Sequence, residues 1–176
     1  MLSTPRLLLR RWTESDLDAW TALCADPEVM RWIGDGAVRT AGERAGEIAD
    51  FERGFDERGF GVFAAALRRT GQCIGMIGLS VPSFLPEILP AVEIGWRLAR
   101  KHWGRGLATE GGRAVLDFAF RERALERVVS IHQVSNEAAE HVVRRLGMHF
   151  ERETVDPTCS RSVHVYAITR EEWIGR

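Results

Sequence analysis

Lysine is almost missing from this chain. Of its 24 basic residues only Lys101 is a lysine, and the rest are arginine. That bias reads as codon usage in a GC-rich genome and carries no information on fold. Cysteine is scarce as well: Cys24, Cys73 and Cys159 are odd in number and form no CxxC. This excludes a disulfide framework and a paired-cysteine zinc site, and it suits the reduced thiols of the cytosol. The five histidines, at 102, 132, 141, 149 and 164, stand at no ligand-like spacing, so no metal is expected. No apolar run approaches the ~20 residues of a membrane span. The opening MLSTPRLLLRRW lacks the apolar stretch and small-residue cleavage site of a secretory leader. An excess of one charge is also missing. The formal net charge is -1, and Arg10-Arg11, Arg68-Arg69 and Arg144-Arg145 are isolated pairs with no aromatic-basic stripe. Neither nucleic acid nor membrane is therefore expected as a partner, and the expected location is cytoplasmic.

What is present is an ordinary globular composition: 176 residues, 45% hydrophobic and 28% charged. The length fits one domain, 1–176, able to bury its own core. Along it, Arg6–Trp12 reads as a first strand. Thr13 then caps a helix whose apolar face is Leu17, Trp20, Leu23 and Cys24. Pro27 opens a short helical turn, and Thr40–Phe55 repeats the helical period with Ile48, Phe51 and Phe55 on one side. The period then changes. Gly61–Leu67 and Cys73–Leu79 are strand-like around a short Gly-containing turn, which makes a hairpin. Pro82, Pro86 and Pro90 mark a loop.

Ala91–Leu98, Ala108–Phe120 and Arg127–His132 read as strand, helix and strand. This is a β-α-β unit with a right-handed crossover and parallel strands. Asn136–Leu146 is a further helix, and Met148–Thr154 with Ser162–Ile168 a final antiparallel pair. The fold class is α/β (α+β): a mixed, mostly antiparallel twisted sheet with helices on both faces.

The informative stretch, Arg100-Lys-His-Trp-Gly-Arg-Gly-Leu-Ala-Thr-Glu110, follows a strand and opens a helix. Gly104 and Gly106 allow close backbone approach and positive φ. The free N–H groups and the dipole of the helix start favour an anion, and Lys101, His102 and Arg105 add positive charge. The pattern suits a pyrophosphate; a plain glycine-rich turn is the alternative. It is neither a P-loop nor a dinucleotide GxGxxG, since position 109 is Thr.

KHWGRGLATE resembles the acyl-CoA loop of the GNAT N-acyltransferase superfamily, Q/R-x-x-G-x-G/A, with Lys101 at the Q/R position. TPRLLLRRWTESD, DPEVMRWIG, GQCIGMIGL, VEIGWRL and SNEAAEHVVRRLGM are similar to the RimJ/RimL-type branch, in family order over almost the whole chain. The resemblance implies a GNAT-like fold in which the parallel strands 91–98 and 127–132 splay apart to hold acetyl-CoA as co-substrate. Trp96 and Leu98 would meet the pantetheine arm, and Trp103, Gly104, Arg105, Gly106, Leu107, Ala108 and Thr109 the pyrophosphate. Asn136 would reach the pantetheine arm, cap its helix, or do both. Trp32 and Phe55, on helices that roof the acceptor site in the family, would line it, with core packing as the alternative. The implied activity is transfer of an acetyl group to a primary amine, the α-amine of a protein N-terminus or a small molecule, by direct attack in a ternary complex. A non-catalytic acyl-CoA sensor of the same fold is the alternative, and a homodimer is left open.

Two departures from the family pattern bear on chemistry. Ala139 and Val143 stand where a serine and the thiolate-protonating tyrosine often occur, and the only tyrosine is Tyr166. His132 or His141 is left to supply the acid, or else solvent. Glu93, on the cleft-wall strand, is the candidate base, with a structural ion pair as its alternative. An α-amine titrates near ~8 and a lysine amine near ~10.4, so modest base machinery suits an α-amine better.

Overall fold

Alternation of apolar residues builds the sheet. Leu7 and Leu9 in β2 (Leu7–Arg10) are fully buried while Leu8 and Arg10 are half-buried, the period of a strand covered on one side. β3 (Val62–Leu67) and β4 (Cys73–Ser80) are apolar almost throughout and lie in the interior. The computed structural model describes residues 1–38 and 40–175. It shows eight strands in the order β1-β2-β3-β4-β5-β6-β8-β7, with β1 at Leu2–Ser3, β5 at Glu93–Leu98, β6 at Arg127–Gln133, β7 at His149–Asp156 and β8 at Arg161–Thr169. All neighbours are antiparallel except β5 and β6, which run parallel. This is the mixed sheet the sequence predicts.

The helices are α1 (Leu17–Cys24), α2 (Pro27–Met30), α3 (Ala41–Arg58), α4 (Leu107–Asp117), α5 (Glu137–Arg145) and α6 (Arg170–Ile174). A core of Leu7, Ile77, Ile94, Leu98, Val115, Leu116, Val143 and Leu146 joins the sheet to α4 and α5. On the other face Trp12, Trp20, Leu23, Cys24 and Ala64 pack with Ile48 and Phe51 of α3. Helices thus cover both faces, as expected. Their ends are fixed by local chemistry. Thr40 and Glu43 form a reciprocal capping box at the start of α3. Thr13 and Asp16 do the same before α1, where a 3-10 turn at Glu14–Asp16 precedes the helix proper.

The predicted helix 108–120 is α4 followed by a wider turn over Phe118–Glu122. Two elements escaped the sequence reading. β1 has only two residues, too few to show a period. α6 was announced by Thr169 and Glu172, a second capping box.

Candidate functional site

α4 begins at a left-handed glycine. Gly106, the N-cap, has φ 75°, and no side chain caps the helix. The first intrahelical bond runs from the Glu110 N–H to the Gly106 carbonyl at 3.0 Å. The N–H groups of Gly106, Leu107, Ala108 and Thr109 meet no acceptor among the described residues. Gly104 also has positive φ, 69°, and a Cβ built on it would meet nothing within 4 Å. An open row of donors therefore borders empty space, which is what an anion needs.

The one acid in the first turn of α4 with a chance to oppose that anion is turned away. Glu110 accepts from the Thr4 hydroxyl at 2.6 Å, the Arg6 N–H at 2.8 Å and Arg6 Nε at 2.6 Å. Arg6 also donates through Nη1 to the Arg105 carbonyl at 2.9 Å, tying the β1–β2 turn to the loop.

The parallel pair splays at once. β5 and β6 share a single register position, Glu93 opposite Val129. There the Val129 N–H donates to the Val92 carbonyl at 2.9 Å, while the Ala99 N–H donates to Ile74 of β4 at 2.8 Å. Backbone groups alternate along a strand. The even-numbered Trp96 and Leu98 therefore present theirs to the gap, with the Leu98 carbonyl taken by Trp103 Nε1 at 2.7 Å.

Two cavities meet through this gap. One, of about 340 Å³, is lined by Trp96, Leu98, Trp103, Gly104, Gly106, Leu107, Ala108, Thr109 and Asn136. The other, of about 380 Å³, is lined by Glu93, Gly95, Ser130, His132, Asp156 and Cys159. Trp32, Ile33, Trp96, Arg97, Asn136 and Ala139 belong to both walls. The roof segment around Trp32 is pinned across the gap by Arg161, which donates to the Arg31 carbonyl at 2.8 Å and the Asp35 carbonyl at 2.7 Å. Gln133 Nε2 adds a bond to the Gly34 carbonyl at 3.2 Å.

The ionisable groups at the junction are unusual. Burial pushes the Glu93 carboxyl up to about 8, against the opposing effect of a hydrogen bond from the Ile131 backbone. Burial, helped by the neighbouring His164, pushes His132 down to about 4. Neither His132 ring nitrogen has a hydrogen-bond partner among the described residues. His132 is therefore neutral near pH 7 and no source of an imidazolium proton, contrary to the sequence expectation. Tyr166 is no substitute: its hydroxyl donates to Glu140 at 3.1 Å.

Of the residues singled out in the sequence, nine of the loop, strand and helix-cap positions line one cavity together. Arg105 lies outside that wall; its backbone carbonyl serves the stitch to Arg6. Asn136 Oδ1 caps α5 through the Ala139 N–H at 3.2 Å, and its amide nitrogen bonds to nothing among the described residues. Trp32 roofs both cavities. Phe55 does not reach them. It packs on Phe63 with ring centroids 4.7 Å apart and lies against Arg11, so for Phe55 the core alternative holds. Arg97, which the sequence reading passed over, stands in both walls; nothing in its local pattern marked it. Among the described residues no three His, Cys, Asp or Glu side chains gather as a metal site, and no helix is long and apolar enough to cross a membrane.

Comparison with known proteins agrees with this geometry. The family model for the acetyltransferase (GNAT) domain matches residues 6–149. YkkB of Bacillus subtilis is 37% identical over 99 residues, 55% of this chain and 56% of its own length, so the match spans about half of that relative. The uncharacterized N-acetyltransferase YnaD of the same species is 28% identical over 98% of both chains. A GNAT-family acetyltransferase structure from Bacillus anthracis superposes with a TM-score of 0.81 at 23% identity, covering 97% of this chain and 99% of that one. Spermidine N-acetyltransferase from Vibrio cholerae, solved with CoA and spermine, gives 0.76 at 19% identity over 96% and 98%. RimL, a ribosomal L7/L12 alpha-N-protein acetyltransferase solved with coenzyme A, gives 0.76 at 18% over 96% of both. With an uncapped helix start on one side of a splayed parallel pair and a second cavity on the other, the chain belongs to the GNAT acetyltransferase family.

Proposed function

We propose that the chain works as a single N-acetyltransferase domain that moves an acetyl group from acetyl-CoA to a primary amine. The observation that carries this is the junction of two cavities at the β5–β6 splay, with Glu93 at the point where the strands part. Acetyl-CoA enters as a substrate. The free N–H row of Gly106 to Thr109 would hold its pyrophosphate, the gap-facing edge of Trp96 and Leu98 its pantetheine arm, and the Asn136 amide nitrogen an amide carbonyl of that arm.

The amine approaches from the second cavity. Its nitrogen forms the new C–N bond at the thioester carbonyl, the C–S bond breaks, and the proton passes to Glu93 directly or through water. A carboxyl at about 8 is matched to an α-amine near ~8; roughly nine-tenths of it holds a proton at pH 7, so the base form, and the rate with it, grows as pH rises. An N–H of the β5 edge, at Trp96 or Leu98, would stabilise the oxyanion. With His132 neutral and Ala139 and Val143 apolar, the thiolate would take its proton from solvent. A thiol near ~8.5 leaves readily enough without a dedicated acid.

The acceptor stays a primary amine of open class. The spermidine and ribosomal-protein enzymes share the fold at under 25% identity, so their names span a range of acceptors without choosing in it. A RimJ/RimL-type protein N-terminus and a cytoplasmic setting belong to the proposal as readings of sequence motifs and composition. Thiol release with acetyl-CoA across amines, amino acids and N-terminal peptides, with the acetylated product weighed by mass spectrometry, tests it. Acetyl-CoA binding with no product on any acceptor would make the chain an acyl-CoA sensor and end the proposal.

A further inference from the structure

Two arginines are buried beside the cleft with one carboxylate between them. Arg97 of β5 and Arg44 of α3 have side chains 8% and 5% exposed. Arg44 Nη1 donates to Glu47 Oε2 at 2.6 Å, and that oxygen also takes Trp20 Nε1 at 3.1 Å. Arg97 is left with the remainder. Its Nη1 stands 3.5 Å from Glu47 Oε1 and 3.4 Å from the Cys24 thiol, and its guanidinium lies over the Trp20 ring at 4.9 Å. The Nε atoms of both arginines are sealed from solvent and have no partner among the described residues. Among the described residues no other carboxylate reaches either guanidinium. The cluster therefore holds one positive charge too many, in a place where an unpaired charge is expensive. Arg97 lines the very cavities that meet at the splay.

The strand sets the geometry. Glu93, Gly95 and Arg97 share one face of β5 at every second residue, and all three line the acceptor-side cavity. Gly95 between them contributes no side chain, and a Cβ there would meet nothing within 4 Å. A trough of about 13 Å between Cα atoms thus runs along β5 from Glu93 to Arg97, the residue whose incompletely paired guanidinium lies against Glu47, Cys24 and Trp20.

We propose that Arg97 binds an oxyanion on the acceptor, so that the preferred amine carries a carboxylate or a phosphate and is not a polycation. This rests on the acyl-transfer reading and narrows its acceptor. The guanidinium fork is suited to either anion.

The test compares matched acceptors: α-amino acids against their amides, phosphoethanolamine against ethanolamine, and spermidine. The acids, or the phosphate, should exceed their neutral partners by about tenfold or more in kcat/KM, and spermidine should be poor. Which pair shows the larger ratio names the anion. Arg97→Gln should bring that ratio close to one while leaving acetyl-CoA affinity within about twofold. Should that variant fail to fold, Glu47→Gln gives an independent reading: it strips the partial counter-charge and should raise the preference for the anionic acceptor. Calorimetry of acid against amide at saturating CoA reads the anion site without turnover. Selective binding of the acid with no acetylation of any amine would keep this site and remove the proposed reaction. Turnover with equal use of acid and amide, or an Arg97→Gln variant that loses acetyl-CoA and keeps the acid preference, would overturn the assignment.

Discussion

The backbone N–H of Ile131 lies close enough to the Glu93 carboxyl to pull its ionisation down, against the effect of burial. In a continuing parallel ladder that N–H, two residues beyond Val129, would have gone to the Ile94 carbonyl. The splay ends the ladder at Val129, and the Glu93 carboxyl lies near that unused donor. The same opening proposed to admit a thioester thus frees the donor that faces the candidate base. That donor favours the carboxylate, and burial still dominates its ionisation.

Gly106 tests the anion site. Its φ of 75° suits glycine alone, and the nearest neighbour to an added Cβ is Arg6 Nη2, at an unstrained 3.7 Å. The effect of Gly106→Val is therefore conformational: the helix start must leave the left-handed region, at roughly 1 kcal/mol or more, and carry the N–H row with it. Isothermal titration should show acetyl-CoA binding weakened by about 10- to 100-fold in a folded variant.

Arg6 acts on the same site through charge. Removing it leaves the Glu110 carboxylate in the first turn of α4 without its cation. Arg6→Ala should weaken CoA binding by about 3- to 10-fold at low salt and less at high salt, since Arg6 is half exposed. Glu110→Gln added to that variant should restore most of the affinity; a simple sum of two losses would refute the electrostatic account.

His132 should show in acid stability. A histidine held neutral, with its value lowered from 6.5 to about 4, binds fewer protons folded than unfolded across that interval. The stability it confers is present above 6.5 and lost as pH falls toward 4. Thermal melts of His132→Phe against wild type should converge, or cross in favour of the variant, between pH 6.5 and 4.

Glu93 predicts the opposite slope. Its folded value of about 8, above the ordinary 4.5, means that the folded chain holds a proton the unfolded chain has released. Stability therefore falls as pH rises from 4.5 to 8. Glu93→Gln should gain on wild type over that window, each kcal/mol appearing as about 2–4 °C in Tm.

The glycines at 104 and 106 and the helix start after them were legible because a turn, a cap and a free N–H row are local properties of a dozen residues. The succession of elements along the chain, apart from β1 and α6, was legible for the same reason. For Phe55 the two readings stood open because an apolar helical face looks alike whether it meets a core or a cavity. His132 was credited with acidity because its chemistry was visible and its burial was not. Arg97 and Glu47 are fifty positions apart, and Glu93 meets Ile131 only across the splay; no pattern in the chain announces contacts of that range.

The central claim, that Glu93 takes the proton at the splay, is tested most directly by the pH dependence of kcat/KM for wild type and Glu93→Gln with one good acceptor. Wild type should rise with pH to a plateau governed by a group near 8. The variant should bind acetyl-CoA within about twofold of wild type, turn over some 100-fold more slowly on the plateau, and lose that ionisation, so that the two profiles approach one another at acid pH. A variant that keeps wild-type turnover and the same profile would contradict the account, leaving Glu93 as a half-buried acid that only holds the splayed strand.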